Sequence, residues 1–103
     1  MAIATEIVAN TSTVLLQAPA STTYAVIGMF FTNHDSSVDE TIDIHVVPAL
    51  ESVGDENVIA KSVQLTATNT LTYTEKLLIE DGDSIVAVSA NGTVNAVLTY
   101  TTV

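Results

Sequence analysis

The sequence predicts an all-β protein, an antiparallel β-sandwich of about eight strands with a jelly-roll-like arrangement. Threonine, valine and isoleucine dominate the chain, as is typical of strands, whereas lysine, arginine and glutamine are scarce. Apolar and polar residues alternate with a period of two in several segments. Turn signals recur at intervals of about ten residues, which indicates a sandwich or barrel rather than alternating strands and helices.

Length and composition favour a single domain over residues 1–103. No Pro/Gly/Ser-rich stretch or block of charge divides the chain. Within the domain, we expect residues 1–10 to form either an N-terminal arm or an edge strand. Apolar residues make up 48% of the chain, enough for one small core, but a domain of this size leaves much of its surface exposed. Self-association or docking onto another protein is therefore expected.

Eight strands are expected from the alternation and the turns. They cover residues 3–9, 13–17, 24–31, 41–47, 57–65, 70–79, 84–90 and 93–101. The clearest alternation lies in 41–47, where Ile42 and Ile44 face one side and His45 faces the other. Pro48 ends this strand because proline has no amide hydrogen to donate.

Three other segments carry more specific expectations. Residues 24–31 and 85–90 are apolar on both faces, which predicts strands in the middle of a sheet or strands with a second face covered by a partner. Residues 57–65 fit a strand, with a helix as the alternative. Asn91-Gly92 suits a two-residue hairpin that joins 84–90 to 93–101.

The charge balance limits the partners that the protein can have. Lys61 and Lys76 are the only Lys or Arg residues against twelve Asp and Glu, which gives a net charge of −10. Such a field repels phosphate backbones and anionic membranes, so neither nucleic acid nor a membrane is expected as a partner. The charge instead suits basic protein surfaces, divalent cations or solubility alone.

Compartment signals indicate a soluble protein made in a cytoplasm. Cysteine is absent, so disulfides and thiolate metal sites are excluded. The first residues lack the basic start of a secretory signal. The longest apolar run, 24–31, is far shorter than the ~20 residues that a membrane-spanning helix needs.

The best candidate for a chemical site is the acidic segment between two predicted strands. It contains His34, Asp35, Asp39 and Glu40. A metal ion needs three or four such side chains converging on one point, and this spacing matches no recognised metal loop. We therefore predict a solvated connection, with a bound cation as the alternative.

No other residues form a catalytic set, so we expect no enzyme, no cofactor and no metal. His45 is predicted to be a surface or interface histidine, too far along the strand from Asp43 to pair well. No serine or second histidine is placed to complete a triad. Asp81-Gly82-Asp83 is predicted to be a turn whose aspartates accept backbone hydrogen bonds, since the other ligands of a calcium loop are missing.

Aromatic and threonine residues lie inside the predicted strands. The aromatics are expected to pack in the core rather than to form a sugar-binding platform, with Tyr24 the one to check. They are Tyr24, Phe30, Phe31, Tyr73 and Tyr100. A threonine-rich outer face suits either a plain β surface or a flat polar contact with another sheet. Its residues include Thr70, Thr72, Thr74, Thr99 and Thr101.

The order of three landmarks resembles a group of small β-sandwich virion proteins encoded by tailed bacteriophages. One strand ends in Thr32-Asn33, the next ends in His45-Val46-Val47-Pro48, and the Gly82-Asp83-Ser84-Ile85 turn leads into the last hairpin. Each motif alone is weak, and their order and spacing carry the resemblance over residues 12–101. The resemblance transfers no catalytic residue.

The resemblance implies a structural role in a virus particle that is assembled in the host cytoplasm. The expected function is a capsid decoration (cement) protein that binds the major capsid protein, or another virion protein, as a homo-oligomer such as a trimer. A tail, neck or fibre-associated component is the alternative. A carbohydrate-binding adhesion module is an alternative of a different class.

Overall fold

Nine strands form two antiparallel sheets in the computed structural model, which describes all 103 residues. The strands are β1 (Ala2–Val8), β2 (Thr13–Gln17), β3 (Thr23–Asn33), β4 (Glu40–Val47), β5 (Val58–Leu65), β6 (Thr70–Tyr73), β7 (Leu77–Glu80), β8 (Ser84–Ser89) and β9 (Val94–Thr102). The one helical element is a 3₁₀ turn over Asp55–Asn57. It is not long and apolar enough to cross a membrane. The all-β prediction is therefore confirmed.

The two sheets pack face to face as a sandwich. The five-stranded sheet has the order β1-β9-β3-β6, with β7 also paired to β3, and the four-stranded sheet has the order β2-β8-β4-β5. Every connection passes from one sheet to the other except β4 to β5 and β6 to β7. Counting β6 and β7 as one interrupted strand gives eight strands in two sheets of four. Eight is also the strand number of a jelly roll, and the jelly-roll-like arrangement stays a prediction.

The predicted strand 70–79 is two strands in the structure. β6 pairs with Met29 to Thr32 of β3, and β7 pairs with Thr23 to Val26, so the middle of β3 is unpaired on that side. The register between β3 and β9 shifts between Val26 and Gly28, which marks an irregularity at the same place. A bulge bends a strand locally, and the break between β6 and β7 lies beside this irregularity.

The predicted hairpin at Asn91-Gly92 is wrong. β8 lies in the four-stranded sheet and β9 in the five-stranded sheet, so the turn joins the two sheets. A type I′ hairpin turn needs positive φ at both central residues, and only Gly92 has it, at 74°. The Asn91 amide instead donates to the carboxylate of Glu40 (2.9 Å), which holds the turn between the sheets.

The core is one cluster of 16 buried apolar residues between the sheets. Phe31, Met29 and Ile42 are its largest fully buried members. The two segments that the sequence shows as apolar on both faces are the central strands β3 and β8, as predicted. The regular alternation of β9 places Val94, Ala96 and Leu98 in the core and leaves the residues between them facing outwards.

Candidate functional site

The acidic segment does not gather its carboxylates at one point. Asp35 Oδ1 accepts hydrogen bonds from Ser37 N (2.8 Å) and Val38 N (2.9 Å), and these bonds lower the pKa of Asp35. Asp39 Oδ1 accepts one from Ala67 N (3.1 Å). No group of three or more histidine, aspartate and glutamate side chains is placed to hold a metal ion. The carboxylates thus hold the backbone around them in place.

The prediction that this segment is a solvated connection is wrong for Glu40. It is the first residue of β4 and is only 2% exposed. Its carboxylate accepts hydrogen bonds from Asn91 N, Thr93 N (2.9 Å) and Thr93 Oγ1 (2.8 Å). Burial opposes the charged form, but the hydrogen bonds outweigh it, and the pKa of Glu40 is lowered. Its partners lie more than 50 residues away in the chain, beyond the reach of local pattern.

Asn33 extends this buried network to β3. Its Nδ2 donates to Val38 O (2.7 Å) and Leu65 O (3.0 Å). The hydroxyl proton of Thr93 is shared between Asn33 Oδ1 (2.9 Å) and the Glu40 carboxylate. No buried side-chain nitrogen or oxygen lacks a hydrogen-bond partner. The arrangement is a fully satisfied structural network that ties the end of one sheet to the other.

His45 lies on the predicted face of β4 but is not a surface residue. Val46 packs against the core, so its neighbour His45 faces away from it. His45 is nonetheless 5% exposed, because the segment before β5 folds over it and Asn57 Oδ1 lies 2.9 Å from its Nδ1. Asn57 Nδ2 in turn donates to Ser52 O (2.9 Å). The prediction of a surface or interface histidine is therefore wrong.

The Asp81-Gly82-Asp83 segment is a turn, as predicted. Asp81 (φ 50°) and Gly82 (φ 95°) both have positive φ. Asp81 Oδ1 accepts a hydrogen bond from Ser21 N (2.6 Å), and Asp83 Oδ1 accepts one from Ala49 N (2.9 Å). Both aspartates therefore bind backbone amides, and the turn joins β7 to β8 across the two sheets.

Four of the five aromatic side chains pack in or against the core. Phe31 is fully buried, Tyr73 lies against the core cluster, and the rings of Tyr24 and Tyr100 pack on each other with centroids 4.7 Å apart. Phe30 differs, since it faces outwards and is 43% exposed. The core-packing prediction thus holds for all but Phe30, and no pair of aromatic rings forms an exposed platform.

Phe30 lies on a surface that we call the open face, the outward side of the five-stranded sheet. Its residues alternate with core residues along each strand. No loop is hydrogen-bonded across them. The open face consists of Ile3, Thr5 and Ile7 from β1, Asn95, Val97, Thr99 and Thr101 from β9, Ala25, Gly28, Phe30 and Thr32 from β3, Thr70 and Thr72 from β6, and Leu78 from β7.

Strand register arranges the open face in rows across the sheet. One row runs from Thr5 through Val97 and Phe30 to Thr72. In the next row, the hydroxyls of Thr32 and Thr70 are 2.9 Å apart. The result is a surface of mainly β-branched and hydroxylated side chains around one phenyl ring.

The open face is almost without charge on a strongly acidic protein. Of the twelve acidic residues, only Glu6 and Glu80 lie in strands of the five-stranded sheet. Glu6 is in phase with Ala4 and Val8, which face the core, so it lies on the opposite side of β1. Glu80 lies at the rim, where its carboxylate accepts a hydrogen bond from Thr23 Oγ1 (3.2 Å). This surface therefore suits an uncharged partner surface better than a charged one.

Neither protein-family models, curated proteins nor solved structures gave a match to this chain. The candidate site accordingly rests on the geometry described above. The threonine-rich outer face was visible in the alternation of the sequence. The row through Phe30 was not, because it depends on which strands are neighbours and on their register.

Proposed function

We propose that the protein is a non-enzymatic structural protein of a phage virion, a capsid decoration (cement) protein that binds the outer surface of the head. The observation that carries the proposal is the open face, a flat and almost uncharged sheet surface on a protein of net charge −10. Exposed apolar side chains grouped on one surface mark contacts with other proteins, and this face exposes Ile3, Ile7, Phe30 and Leu78. The landmark residues Thr32-Asn33, His45 to Pro48 and Gly82 to Ile85 add the resemblance to phage virion proteins.

The mechanism is mechanical rather than chemical. The open face covers part of the major capsid protein, and pulling the shell apart would expose that surface again at ~25 cal/mol per Å² of apolar area, less the ordering costs of binding. Many copies on one particle add their contributions. The exposed acidic residues outside the open face keep particles apart in suspension.

Three observations on the titratable groups support a non-enzymatic role. Asp35 and Glu40 accept several hydrogen bonds each, and His45 is buried against Asn57. Catalytic groups need a free acid, base or nucleophile within reach of a substrate. Here the same side chains serve to hold loops and turns.

Quantitative mass spectrometry of purified particles tests the proposal. We expect the protein in every particle, in a fixed ratio to the major capsid protein. A handful of copies per particle would overturn the decoration role and indicate the runner-up, a tail, neck or fibre-associated component. Absence from purified particles would overturn both.

A further inference from the structure

The four edges of the two sheets differ in whether they can accept another strand. An exposed edge strand presents unpaired backbone groups, and proteins protect such edges with bulges, breaks, short strands or charges. The β5 edge has register shifts and a positive φ at Ser62 (50°), and the short β2 edge has a shift between Val14 and Leu16. The fourth edge is broken between β6 and β7.

The β1 edge has no bulge, break or positive φ, and Glu6 is its one charged residue. Its pairing with β9 is continuous from Ala2 to Val8. Ile3 and Ile7 on this strand are 68% and 53% exposed. A groove of approximately 340 Å³ lies along β1 and β9 and is lined in part by Thr5, Ile7 and Val97.

The end of β1 is anchored, so the edge is ordered before any partner arrives. Ser89 Oγ donates to Val8 O (2.7 Å), and Ser89 N donates to Ala9 O (3.0 Å). The Ala9 amide donates to Thr13 Oγ1 (3.1 Å). A strand that is already held in place loses little conformational freedom on binding, which favours association.

We propose that β1 pairs with β1 of a second copy of this chain, antiparallel and about a two-fold axis at Thr5. In this register Ile3 lies opposite the partner's Ile7, and Ile7 opposite the partner's Ile3, so two apolar pairs form across the axis. Glu6, the one charged residue of β1, lies opposite the partner's Ala4. A register centred on Glu6 would instead place two carboxylates opposite each other, which is unfavourable.

The charge of the protein limits where a second copy can bind. Two chains of net charge −10 repel each other, so they associate best where acidic residues are fewest. The two-fold axis of an antiparallel strand pair is perpendicular to the sheet, so both open faces lie on the same side. The dimer thereby presents a continuous uncharged surface of twice the width. The pairing does not depend on the proposed virion role.

Charge substitution at the axis tests the dimer with the isolated protein. We expect wild type to form dimers in sedimentation velocity, and T5E and T5K to weaken dimerisation roughly tenfold or more, because like charges meet at the axis. Mixing T5E with T5K should restore a 1:1 heterodimer. T72E is the matched control, since Thr72 is an exposed threonine at the opposite end of the same row, and it should dimerise like wild type.

Disulfide trapping tests the register independently and uses the absence of native cysteine. A mixture of I3C and I7C should cross-link between chains under mild oxidation, whereas I3C alone should not. Circular dichroism confirms that each variant is folded. A wild type that stays monomeric up to about 1 mM, a trimer whose assembly T5E does not weaken, or cross-linking of I3C alone would overturn the proposal.

Discussion

The outer faces of the two sheets differ in how much of the chain covers them. The open face of the five-stranded sheet is a flat surface whose rows run from edge to edge. The outer face of the four-stranded sheet, which we call the covered face, has the 3₁₀ turn and its flanking loop folded over His45. His45 and its cross-strand neighbour Val86 are both buried on that side.

The difference shows how one small domain divides two tasks between two similar sheets. On the covered face, the loop before β5 folds over His45, and Asn57 Oδ1 lies 2.9 Å from the His45 Nδ1. On the open face, the chain supplies no such layer. A face that the protein leaves bare and nearly free of charge is available to other molecules, whereas the covered face contributes to stability. Substitutions on the two faces should accordingly have different effects.

The largest stability effect is expected where the two sheets are joined. Glu40→Gln places an amide donor among the N–H groups of Asn91 and Thr93, so one donor faces another. We expect a loss of about 2 kcal/mol in the free energy of unfolding, measured by urea denaturation. Glu75→Gln, at an exposed position in the link between β6 and β7, is the control and should change stability little. Equal losses for both variants would contradict the buried network.

A substitution on the covered face should give the next largest loss in the free energy of unfolding. Asn57→Ala removes the acceptor for the Gly54 amide and the partner of His45 Nδ1. We expect a loss of about 1 to 2 kcal/mol because buried polar groups are left without partners. Thermal unfolding followed by circular dichroism measures it. An unchanged midpoint would mean that the loop does not cover this face.

Acid should weaken the junction between the sheets. The folded-state pKa of Glu40 is below its ordinary value of 4.5, so its contribution is fully present above that pH and is lost as pH falls through the folded-state value. Asp35, whose pKa is also lowered, adds a further loss in acid. Stability measured from pH 7 to pH 3 should therefore fall in the acid range, and the fall should be smaller in Glu40→Gln. Identical profiles would contradict this assignment.

Substitutions on the open face should have the smallest effect on the free energy of unfolding. Thr72→Val keeps the β-branched shape and removes a hydroxyl that no other group in the protein binds. We expect a change within about 0.5 kcal/mol, measured by urea denaturation beside Asn57→Ala. A large loss would mean that the outer surface of this sheet is needed for folding and is not reserved for contacts.

Sequence pattern predicts much of this fold because the alternation of apolar and polar residues along one strand is a local property of the chain. The alternation in β4 and β9, the end of β4 at Pro48 and the central positions of β3 and β8 all follow from nearest neighbours in the chain. The division of 70–79 into β6 and β7 does not, because it depends on an irregularity in β3. The turn at Asn91-Gly92 joins two sheets instead of two paired strands because Glu40, distant in sequence, binds its amides.

The candidate site divides in the same way. The threonine alternation predicted a threonine-rich outer face, but its width and the position of Phe30 in it depend on the order of the strands. The burial of His45 depends on a loop that follows β4 and returns over it. In both cases, the missing information is which distant segments meet.

Adding the protein back to phage particles assembled without it tests the central claim that the open face is the contact surface. Phe30→Glu places a charge in the middle of the open face, and Ile59→Glu places one at a residue of similar exposure on the opposite sheet (43% and 37%). The account predicts that Phe30→Glu no longer cosediments with particles, while Ile59→Glu binds like wild type. Binding by Phe30→Glu at the level of wild type would contradict it.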